Sequence, residues 1–521
     1  MFSITTPIYY VNDEPHLGHA YTTILADVLA RYHRLRGEQV FFQTGVDEHG
    51  QKVWNAFKKR TGTDPSPEQL QGYVDDMAGR FQAAWERLNI QYDDFLRTTQ
   101  PRHARVVAHV LQRLWESGQI YRGEYEGWYC TPDERFWTQK DIDAQGEARC
   151  PDCGRPLERI LESNYFFRMS SHQEWLVETI HAQPDFIQPV TRRNEVLGFL
   201  RRPLADLCIS RPRSRLPWGI PLPFDGDFVT YVWFDALLNY VTAAGYLEDD
   251  DRFAETWPNT LHLIGKDILT THAVYWPTML HAAGLPQPKG IFAHGWWVTA
   301  GEKMSKSLGN AVKPLDLAEV YGVDAFRYFL LRDMTPGQDA DFDPERLSGR
   351  YTTDLANNLG NLLQRITTLI ERNCGGVVPA PVEAAVTAEE DALRAQIVAL
   401  PEVVFAQVDA LAVQDALAAA VDALTAVNGY LERAAPWTLA KQGQQARVET
   451  VLYTAGEALR LVSLLISPVL PEKCAEIWQR LGWDAPDAPG DGLRWGGWQP
   501  GSTVTVGTPL FPRIEPAAAR P

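Results

Sequence analysis

Two short motifs, far apart in the chain, carry side chains suited to nucleotide chemistry. His16 and His19 lie three positions apart at the predicted start of a helix, so both imidazoles share one helical face and can donate to the same phosphate oxygens. A helix N-terminus also offers free N–H groups and a positive dipole end, and Gly18 lets a flat base approach the backbone closely. Lys303 and Lys306 bracket a Gly-flanked loop and can neutralise a departing pyrophosphate. Either motif alone is a weak signal, whereas the two together predict a nucleotide site.

The cysteines indicate a second kind of site. The chain has 6 cysteines in 521 residues, too few for a disulfide framework. Three of them, Cys130, Cys150 and Cys153, lie close together in the sequence. This grouping predicts a metal site in a reducing cytosol.

The elements that must position these residues indicate an α/β fold. Apolar spacing from Leu17 to Val28 predicts a helix that ends at Gly37, and short apolar runs predict strands. The predicted strands are residues 2–6, 40–42, 228–232, 261–264 and 290–293. Strands that alternate with amphipathic helices form a parallel sheet covered on both faces, which binds ligands at the carboxyl ends of its strands. Residues 116–225 interrupt this rhythm as an insertion, and long Leu/Ala patterns from residue 351 predict an all-α bundle.

Composition limits the partners. Lys plus Arg is 49 and Asp plus Glu is 66, so the formal charge is −17 and a nucleic-acid surface would have to be a local basic patch. No run of about 18 apolar residues predicts a membrane span. The first residues, MFSITTPIYY, lack the basic and apolar regions of a signal peptide. We therefore expect a cytoplasmic protein without a membrane partner.

The histidine and lysine motifs resemble the HIGH and KMSKS signatures of class I aminoacyl-tRNA synthetases. The resemblance is to the methionyl-tRNA synthetase family in particular, and it continues in order through TTPIYYVNDEPHLGHAYTT, TGVDEHG, VTYVWFDALLNYV, HLIGKDI, FAHGWW and KMSKSLGN. It implies a Rossmann-like catalytic domain split by a zinc-knuckle-type insertion and followed by a helical bundle. The implied domains are the two catalytic halves 1–115 and 226–300, the connective insertion 116–225, a KMSKS loop and stem-contact region 301–350, an anticodon-binding domain 351–488 and a surface-packed tail 489–521.

The resemblance implies a two-step reaction. Methionine attacks the α-phosphate of ATP, which brings Mg²⁺, to give methionyl-adenylate and pyrophosphate, and the 3′ end of tRNA(Met), including the initiator tRNA, then takes the methionyl group. His16 and His19 would hold the phosphates, Lys306 would act on the β- and γ-phosphates, and Lys303 would support loop closure. The implied ATP contacts are His16, Gly18, His19, Gly265, Lys266, Asp267 and Lys306. No general base is needed in the first step, because the carboxylate is already the nucleophile.

An amino-acid pocket needs an anion for the substrate ammonium and an apolar cage for the side chain. Asp47, just past the second predicted strand, is suited to the ammonium, and aromatic edges favour a thioether. The positions that match the family's pocket are Ile8, Tyr10, Trp233, Ala236, Leu237, Tyr240, Phe292 and His294. Family members commonly have proline where this chain has Leu237, but leucine keeps an apolar wall. Trp233 or Phe292 taken alone would be read as core packing.

The family's knuckle has two cysteine pairs, and only the second is intact here. Cys150 and Cys153 form that pair, whereas Cys130 is followed by Asp133 where a cysteine belongs. Aspartate is a legitimate zinc ligand, so a structural Cys₃Asp zinc site is the expectation. The alternative is a degenerate knuckle that keeps its shape without metal.

Contacts to tRNA follow mainly from the resemblance. Asn361 and Arg365 lie four apart on a predicted helix and face one side, and Pro436-Trp437 begins another helix. They match the family's anticodon-reading positions, and an exposed Trp would stack on a base. From the residues alone, the alternative is a purely structural role, in which Trp437 lies in the core and Arg365 pairs with a carboxylate. Arg-rich segments such as 211–215 would supply charge for the acceptor arm.

Three alternatives and the oligomeric state stay open at this point. One alternative is a tRNA-independent ligase or nucleotidyltransferase on the same α/β site, and another is a non-catalytic paralogue that only binds RNA. Within the class, a cysteinyl-type enzyme is the nearest competitor, but its zinc lies in the amino-acid pocket. Because the chain stops soon after the bundle, without the tRNA-binding barrel that dimerises some family members, we expect a monomer.

Overall fold

The computed structural model describes residues 1–130, 135–137, 142, 148–151, 154–299, 301–303, 312–486 and 489–514. The chain divides into two units. The first, called the sheet unit, comprises Met1–Pro15, Phe41–Glu86 and Gln91–His294. The second, called the helical unit, comprises His16–Val40, Arg87–Ile90 and the chain from Gly295 onward.

The strands are, in chain order, β1 Phe2–Thr5, β2 Tyr9–Tyr10, β3 Val40–Asp47, β4 Asp94–Arg97, β5 Ile120–Cys130, β6 Arg135–Trp137, β7 Glu158–Phe167, β8 Ile187–Gln188, β9 Leu207–Cys208, β10 Ser210–Pro212, β11 Pro221–Leu222, β12 Asp225–Thr230, β13 Thr260–Gly265, β14 Gly290–His294, β15 Trp297–Thr299, β16 Glu302–Lys303 and β17 Ala340–Asp341.

The α-helices are α1 Leu17–Leu35, α2 Gln51–Thr61, α3 Pro67–Arg87, α4 Pro101–Glu116, α5 Gln173–Ala182, α6 Val190–Phe199, α7 Val232–Leu237, α8 Asn239–Ala244, α9 Asp250–Thr256, α10 Trp276–Ala282, α11 Pro314–Tyr321, α12 Val323–Arg332, α13 Pro344–Arg350, α14 Asn361–Cys374, α15 Ala388–Asp409, α16 Val413–Ala434, α17 Pro436–Lys441, α18 Gln445–Ile466 and α19 Pro471–Leu481. Short 3₁₀ turns and two π-helical stretches, Thr271–Tyr275 and Tyr351–Gly360, connect some of them.

A parallel sheet organises the sheet unit, as the sequence predicts. Its order is β2-β3-β1-β13-β14-β8, with β4 added beside β3. The predicted strands 2–6, 261–264 and 290–293 correspond to β1, β13 and β14. The run predicted at 40–42 is only the start of β3, which continues to Asp47 and therefore carries that carboxylate at its last residue.

Two strands depart from the prediction. The run predicted at 228–232 ends at Thr230 as β12, which pairs antiparallel with β10 and β11 in a separate sheet, and Val232 instead begins α7. The strand β8, which lies inside the predicted insertion, pairs in parallel with β14 at the edge of the main sheet. An apolar run indicates a strand but not its partner, because pairing is decided by residues far away in the sequence.

The bundle of the helical unit surrounds α18. Every residue from Thr450 to Ile466 is buried, and α18 packs against α14, α15, α16, α17 and α19. A helix that is buried all round forms the centre of a bundle. Beyond it, Trp498 is completely buried: its backbone N–H donates to Glu457 at 3.0 Å and its indole N–H to Leu481 O at 2.7 Å. The predicted surface tail thus supplies part of the bundle core.

A buried arginine joins several segments of the helical unit. Arg327 on α12 is completely buried, and its Nη2 lies 2.6 Å from Oδ2 of Asp27 on α1. Its other N–H groups donate to backbone carbonyls of Leu88, Asn89, Pro468 and Val469 at 2.9–3.1 Å. One side chain therefore anchors α1, the turn after α3 and the turn after α18. Within the described residues, no helix is long and apolar enough to cross a membrane.

Candidate functional site

The carboxyl edge of the parallel sheet gathers several predicted site residues of the sheet unit. Asp47 ends β3, Gly265 ends β13 and His294 ends β14, and the last two are register partners across neighbouring strands. A parallel sheet exposes ligand-binding groups at this edge because the chain leaves the strands there. Asp47 is 3% exposed, so a charged group that reaches it leaves most of its water behind.

The predicted pocket residues fall on four neighbouring elements. Ile8 lies between β1 and β2, Tyr10 ends β2, and Phe292 and His294 lie on β14. The short helix α7 carries Trp233, Ala236 and Leu237, and α8 carries Tyr240. The rings of Tyr10 and Trp233 meet edge to face at 6.4 Å, and both are half-buried, whereas the others except Ile8 are buried. This half-open aromatic pair is typical of a pocket mouth rather than of core packing.

Hydrogen bonds fix the polar groups behind the pocket. The hydroxyl of Tyr240 lies 2.7 Å from Nε2 of His272, whose Nδ1 lies 3.0 Å from Ile268 O. The carbonyl requires the proton on Nδ1, so Nε2 accepts from Tyr240. Burial lowers the pKa of His272 to about 4, which keeps the ring neutral. His272 is absent from the predicted site, and a lone histidine on an apolar helix gives no sequence signal for this role.

The loop after Asp47 is also held rigidly. Glu48 donates its N–H to Thr98 Oγ1 at 2.9 Å and accepts the indole N–H of Trp218 on its carbonyl at 2.6 Å. Its carboxylate accepts from Nε of Arg97 at 2.7 Å and from the hydroxyl of Thr99. Burial raises the pKa of Glu48, and these donors oppose that effect.

The predicted nucleotide turn follows β13. Residues Lys266–Ile268 form a 3₁₀ turn, in which Lys266 is half-buried and Asp267 is exposed. A Cβ on Gly265 would lie 2.6 Å from Asp267 Oδ1, so only glycine lets this carboxylate fold back over the strand end.

His16 and His19 lie together at the start of α1, in the helical unit, where His16 also caps the helix. Nδ1 of His16 accepts the N–H groups of Gly18 and His19 at 3.1 and 3.4 Å, and the two rings stack with centroids 3.5 Å apart. These two N–H groups are therefore not free for phosphate, which corrects the expectation of an open helix terminus. Because Nδ1 of both rings accepts backbone N–H groups, the neutral rings carry their protons on Nε2.

The lysine motif and the cysteine site fall partly outside the described residues. Lys303 ends β16, while Lys306 lies beyond the described part of the chain. Cys130 and Cys150 are buried in one small apolar cluster with Trp137. The remaining predicted ligands, Asp133 and Cys153, are outside the described residues, among which no group of three metal-binding side chains occurs.

The local backbone around Cys150 suits a metal turn. Gly154 has φ +70° and donates its N–H to Cys150 O at 2.8 Å, so the chain folds back directly after the cysteine. Two buried thiols in one cluster and this tight turn fit the donor set that zinc prefers.

The predicted anticodon residues meet in the bundle. Nη2 of Arg365 on α14 lies 2.8 Å from Oε1 of Glu432, and its guanidinium carbon lies 5.7 Å from the ring centre of Trp437. Trp437 is 37% exposed, Pro436 is buried and Asn361 is exposed at the start of α14. Arg365 thus pairs with a carboxylate, as the alternative of a purely structural role predicts. Trp437, however, is not a core residue, contrary to that alternative.

One arginine of the predicted acceptor-arm segment is buried instead. Arg211 is 4% exposed, with its guanidinium carbon 5.0 Å from the ring of Tyr129 and 4.7 Å from that of Tyr231. It lines a small cavity of about 10 Å³ that Gly50 and Gln51, which follow Asp47 in the chain, also line. Arg211 therefore lies inside the protein rather than at the surface.

Known proteins resemble this chain in both sequence and fold. Residues 2–367 match the family model described as tRNA synthetases class I (M), and residues 378–520 match that of the anticodon binding domain of methionyl tRNA ligase. A methionine–tRNA ligase of Caldanaerobacter subterraneus is 45% identical over 99% of this chain and 79% of its own length. The Streptomyces coelicolor ligase is 44% identical over 99% and 98%. The Mycobacterium tuberculosis methionyl-tRNA synthetase in complex with methionyl-adenylate matches with a TM-score of 0.93 and 41% identity, over 98% of this chain and 99% of that one.

A parallel sheet followed by a helical bundle, together with the match to the class I family model, identifies a ligase of the class I aminoacyl-tRNA synthetases. Because both the catalytic and the anticodon-binding models match, and relatives align over nearly the whole chain, the chain belongs to the methionyl-tRNA synthetase family.

Proposed function

We propose that this ligase activates L-methionine with ATP and transfers it to tRNA(Met), including the initiator tRNA. The observation that carries the substrate assignment is the pocket of the sheet unit. There, the buried carboxylate of Asp47 and the edge-to-face pair of Tyr10 and Trp233 occur at one sheet edge. Asp47 suits an ammonium group, and the aromatic edges suit a thioether.

In the first step, the carboxylate oxygen of methionine forms a bond to the α-phosphorus of ATP, and the bond to the β-phosphate oxygen breaks. Pyrophosphate leaves, with its charge taken by Mg²⁺ that arrives with ATP and by Lys306, while Lys303 supports the loop. His16 and His19 donate Nε2–H to phosphate oxygens, and Gly18, Gly265, Lys266 and Asp267 contact the nucleotide. Catalysis is then positioning plus charge stabilisation, and no protein base is required.

The cage for the methionine side chain would comprise residues from the elements described above. Ala236 and Leu237 on α7 close it with apolar surface, and Leu237 is 1% exposed. The other members are Ile8, Tyr10, Trp233, Tyr240, Phe292 and His294. A snug apolar cage excludes polar amino acids because their groups would lose hydrogen bonds to water.

We propose a structural zinc ion bound by Cys130, Asp133, Cys150 and Cys153. Four such ligands leave no open position, so the ion would hold the knuckle fold and would take no part in the reaction. The proposal also includes the domain limits given above, with the knuckle in residues 116–225. It further includes that the enzyme is monomeric and cytoplasmic.

Elemental analysis of the purified protein is expected to give about one zinc per chain. Cys150→Ser should remove it, because a hydroxyl is a poor replacement for a thiolate. Cys208→Ser is the matched control, since Cys208 is also buried but lies on β9. If the purified protein holds no metal and is fully active, the zinc proposal is wrong and the region is a degenerate knuckle that keeps its shape without metal.

Trp437→Ala is expected to lower kcat/KM for tRNA aminoacylation by about 5- to 100-fold, because stacking on a base is worth about 1–3 kcal/mol. Methionine-dependent ATP–pyrophosphate exchange without tRNA should not change. The control is Trp115→Ala, since Trp115 is 38% exposed against 37% for Trp437 and lies in the sheet unit. Equal losses in both reactions would show that Trp437 supports the fold and does not read the anticodon.

Amino-acid-dependent ATP–pyrophosphate exchange with all twenty amino acids, without tRNA, tests the whole proposal. Exchange with methionine alone is the expected result. Exchange with a different amino acid would overturn the pocket assignment. No exchange with any of them would overturn tRNA-independent activation.

A further inference from the structure

A buried cluster of two imidazoles and one carboxylate lies in the sheet unit beside the proposed pocket. Oδ2 of Asp235 is 2.6 Å from Nδ1 of His49, and Oδ1 of Asp235 is 2.7 Å from Nε2 of His103. The side chains of Asp235 and His103 are completely buried, and that of His49 is 9% exposed. The reaction proposed above uses none of the three. Burying so much polarity is costly unless the groups are paired, so the cluster calls for an explanation.

Each member of this cluster belongs to an element that carries or adjoins a pocket residue. Asp235 lies on α7 between Trp233 and Ala236. His49 lies two residues after Asp47, and its own N–H points to Asp47 Oδ1 at 3.4 Å. The cluster therefore connects the loop that presents the ammonium partner to the helix that presents the side-chain cage.

The third member extends the connection to α8. Nδ1 of His103, on α4, lies 3.1 Å from the hydroxyl oxygen of Thr242, and that hydroxyl donates to Leu238 O at 2.9 Å. With its hydrogen directed to Leu238, Thr242 accepts from His103. The ring of His103 thereby joins Asp235 on α7 to Thr242 on α8.

The chemistry of the carboxylate makes this geometry specific. Burial alone would raise the pKa of Asp235. The charges and hydrogen bonds of His49 and His103 have a larger effect in the opposite direction and lower this pKa to about 2. A carboxylate accepts on both oxygens at once, so it binds both N–H donors. An asparagine at this position would place its side-chain NH₂ group opposite one imidazole N–H, and two donors cannot form a hydrogen bond. The cluster thus allows one arrangement of the loop and helix rather than several.

The neighbouring contacts hold the loop from other directions. Glu48 is bound to Thr98 and to Trp218 through its backbone, and the ring of Trp218 meets that of His49 edge to face at 5.7 Å. These contacts hold the loop at a fixed distance from the sheet. The bond from His49 to Asp235 joins the loop to α7.

We propose that His49, Asp235 and His103 are positioning residues that set the separation between Asp47 and the cage on α7, and thereby the affinity for methionine. They act through Asp47 and Trp233 and do not touch the substrate. This inference rests on the proposed function, because that function assigns methionine to the pocket.

The test measures KM for methionine, KM for ATP and kcat in ATP–pyrophosphate exchange for two variants of the full chain. His49→Ala is expected to raise KM for methionine by about 10- to 100-fold, since it removes one hydrogen bond to a charged group. KM for ATP and kcat should change by less than about threefold. His49→Asn should restore most of the methionine affinity, because the amide N–H of asparagine occupies the place of Nδ1.

A histidine with the same partner chemistry elsewhere provides the control. Nδ1 of His33, near the end of α1, lies 2.9 Å from Oε2 of Glu38, and His33→Ala should leave KM for methionine unchanged. Asp235→Asn keeps the shape of the core and should reproduce the His49→Ala effect if that variant fails to fold. Unchanged methionine affinity in both variants, equal losses in every parameter, or asparagine no better than alanine at position 49 would overturn the inference. A wild-type enzyme without methionine-dependent exchange would instead overturn the proposed function.

Discussion

Replacing Asp47 by asparagine is expected to lower kcat/KM for methionine in ATP–pyrophosphate exchange by about 30- to 4000-fold. Asp47 ends β3 at 3% exposure, so its carboxylate would meet the substrate ammonium with little water to screen the pair. Removing one partner of such a pair costs about 2–5 kcal/mol, and about 1.4 kcal/mol corresponds to tenfold. Asparagine has the same shape, and its carbonyl can still accept the N–H of His49.

Asp94→Asn is the matched control for this prediction. Asp94 begins β4 in the same unit and accepts from Nη2 of Arg102 at 2.7 Å, but it is not a pocket residue. The exchange rate of Asp94→Asn should stay within about twofold of the wild type, because Asp94 does not belong to the pocket. KM for ATP should be normal in both variants. A parallel rise in KM for ATP after Asp47→Asn would assign Asp47 a structural role.

Arg327→Leu is expected to destabilise the helical unit by about 3–5 kcal/mol, which corresponds to a fall in Tm of about 5–10 °C. The substitution leaves Asp27 buried with Arg31, whose Nε lies 2.8 Å from Asp27 Oδ2, as its remaining cation. It also removes the donor from four backbone carbonyls. Calorimetry of the purified variant measures the change.

The control for Arg327 is an arginine in an exposed pair. Arg433, 61% exposed, lies 3.1 Å from Glu389, and Arg433→Leu should shift Tm by less than about 2 °C. Similar shifts in the two variants would mean that the contacts of Arg327 are no stronger than those at the surface.

The fold was largely predictable because its signals are local. Alternating strands and helices gave the parallel sheet, and Leu/Ala patterns gave the bundle. The position of Asp47 at a strand end was predictable because a carboxylate after an apolar run is recognisable in one short stretch. The pairing of β8 with β14, and of β12 outside the main sheet, joins residues that are far apart in sequence, and no local pattern encodes it.

Interactions over long sequence separations explain the rest of the site. His49 and His103 are separated from Asp235 by 186 and 132 positions, so no spacing rule connects them. The burial of Arg211 between two tyrosines depends on strands from different sheets in the same way. The capping role of His16 is local, but histidine is not among the residues usually expected at that position.

The edge position of β8 limits how this enzyme can change in evolution. The strand β8, Ile187–Gln188, lies within residues 116–225. A deletion of these residues would therefore remove a strand of the main sheet together with the insertion. The backbone of β14 would then present an unpaired edge, which invites pairing with other chains and aggregation. A shorter descendant would have to keep this strand or cover the edge with another element. The insertion is therefore not a module that can be lost in a single event.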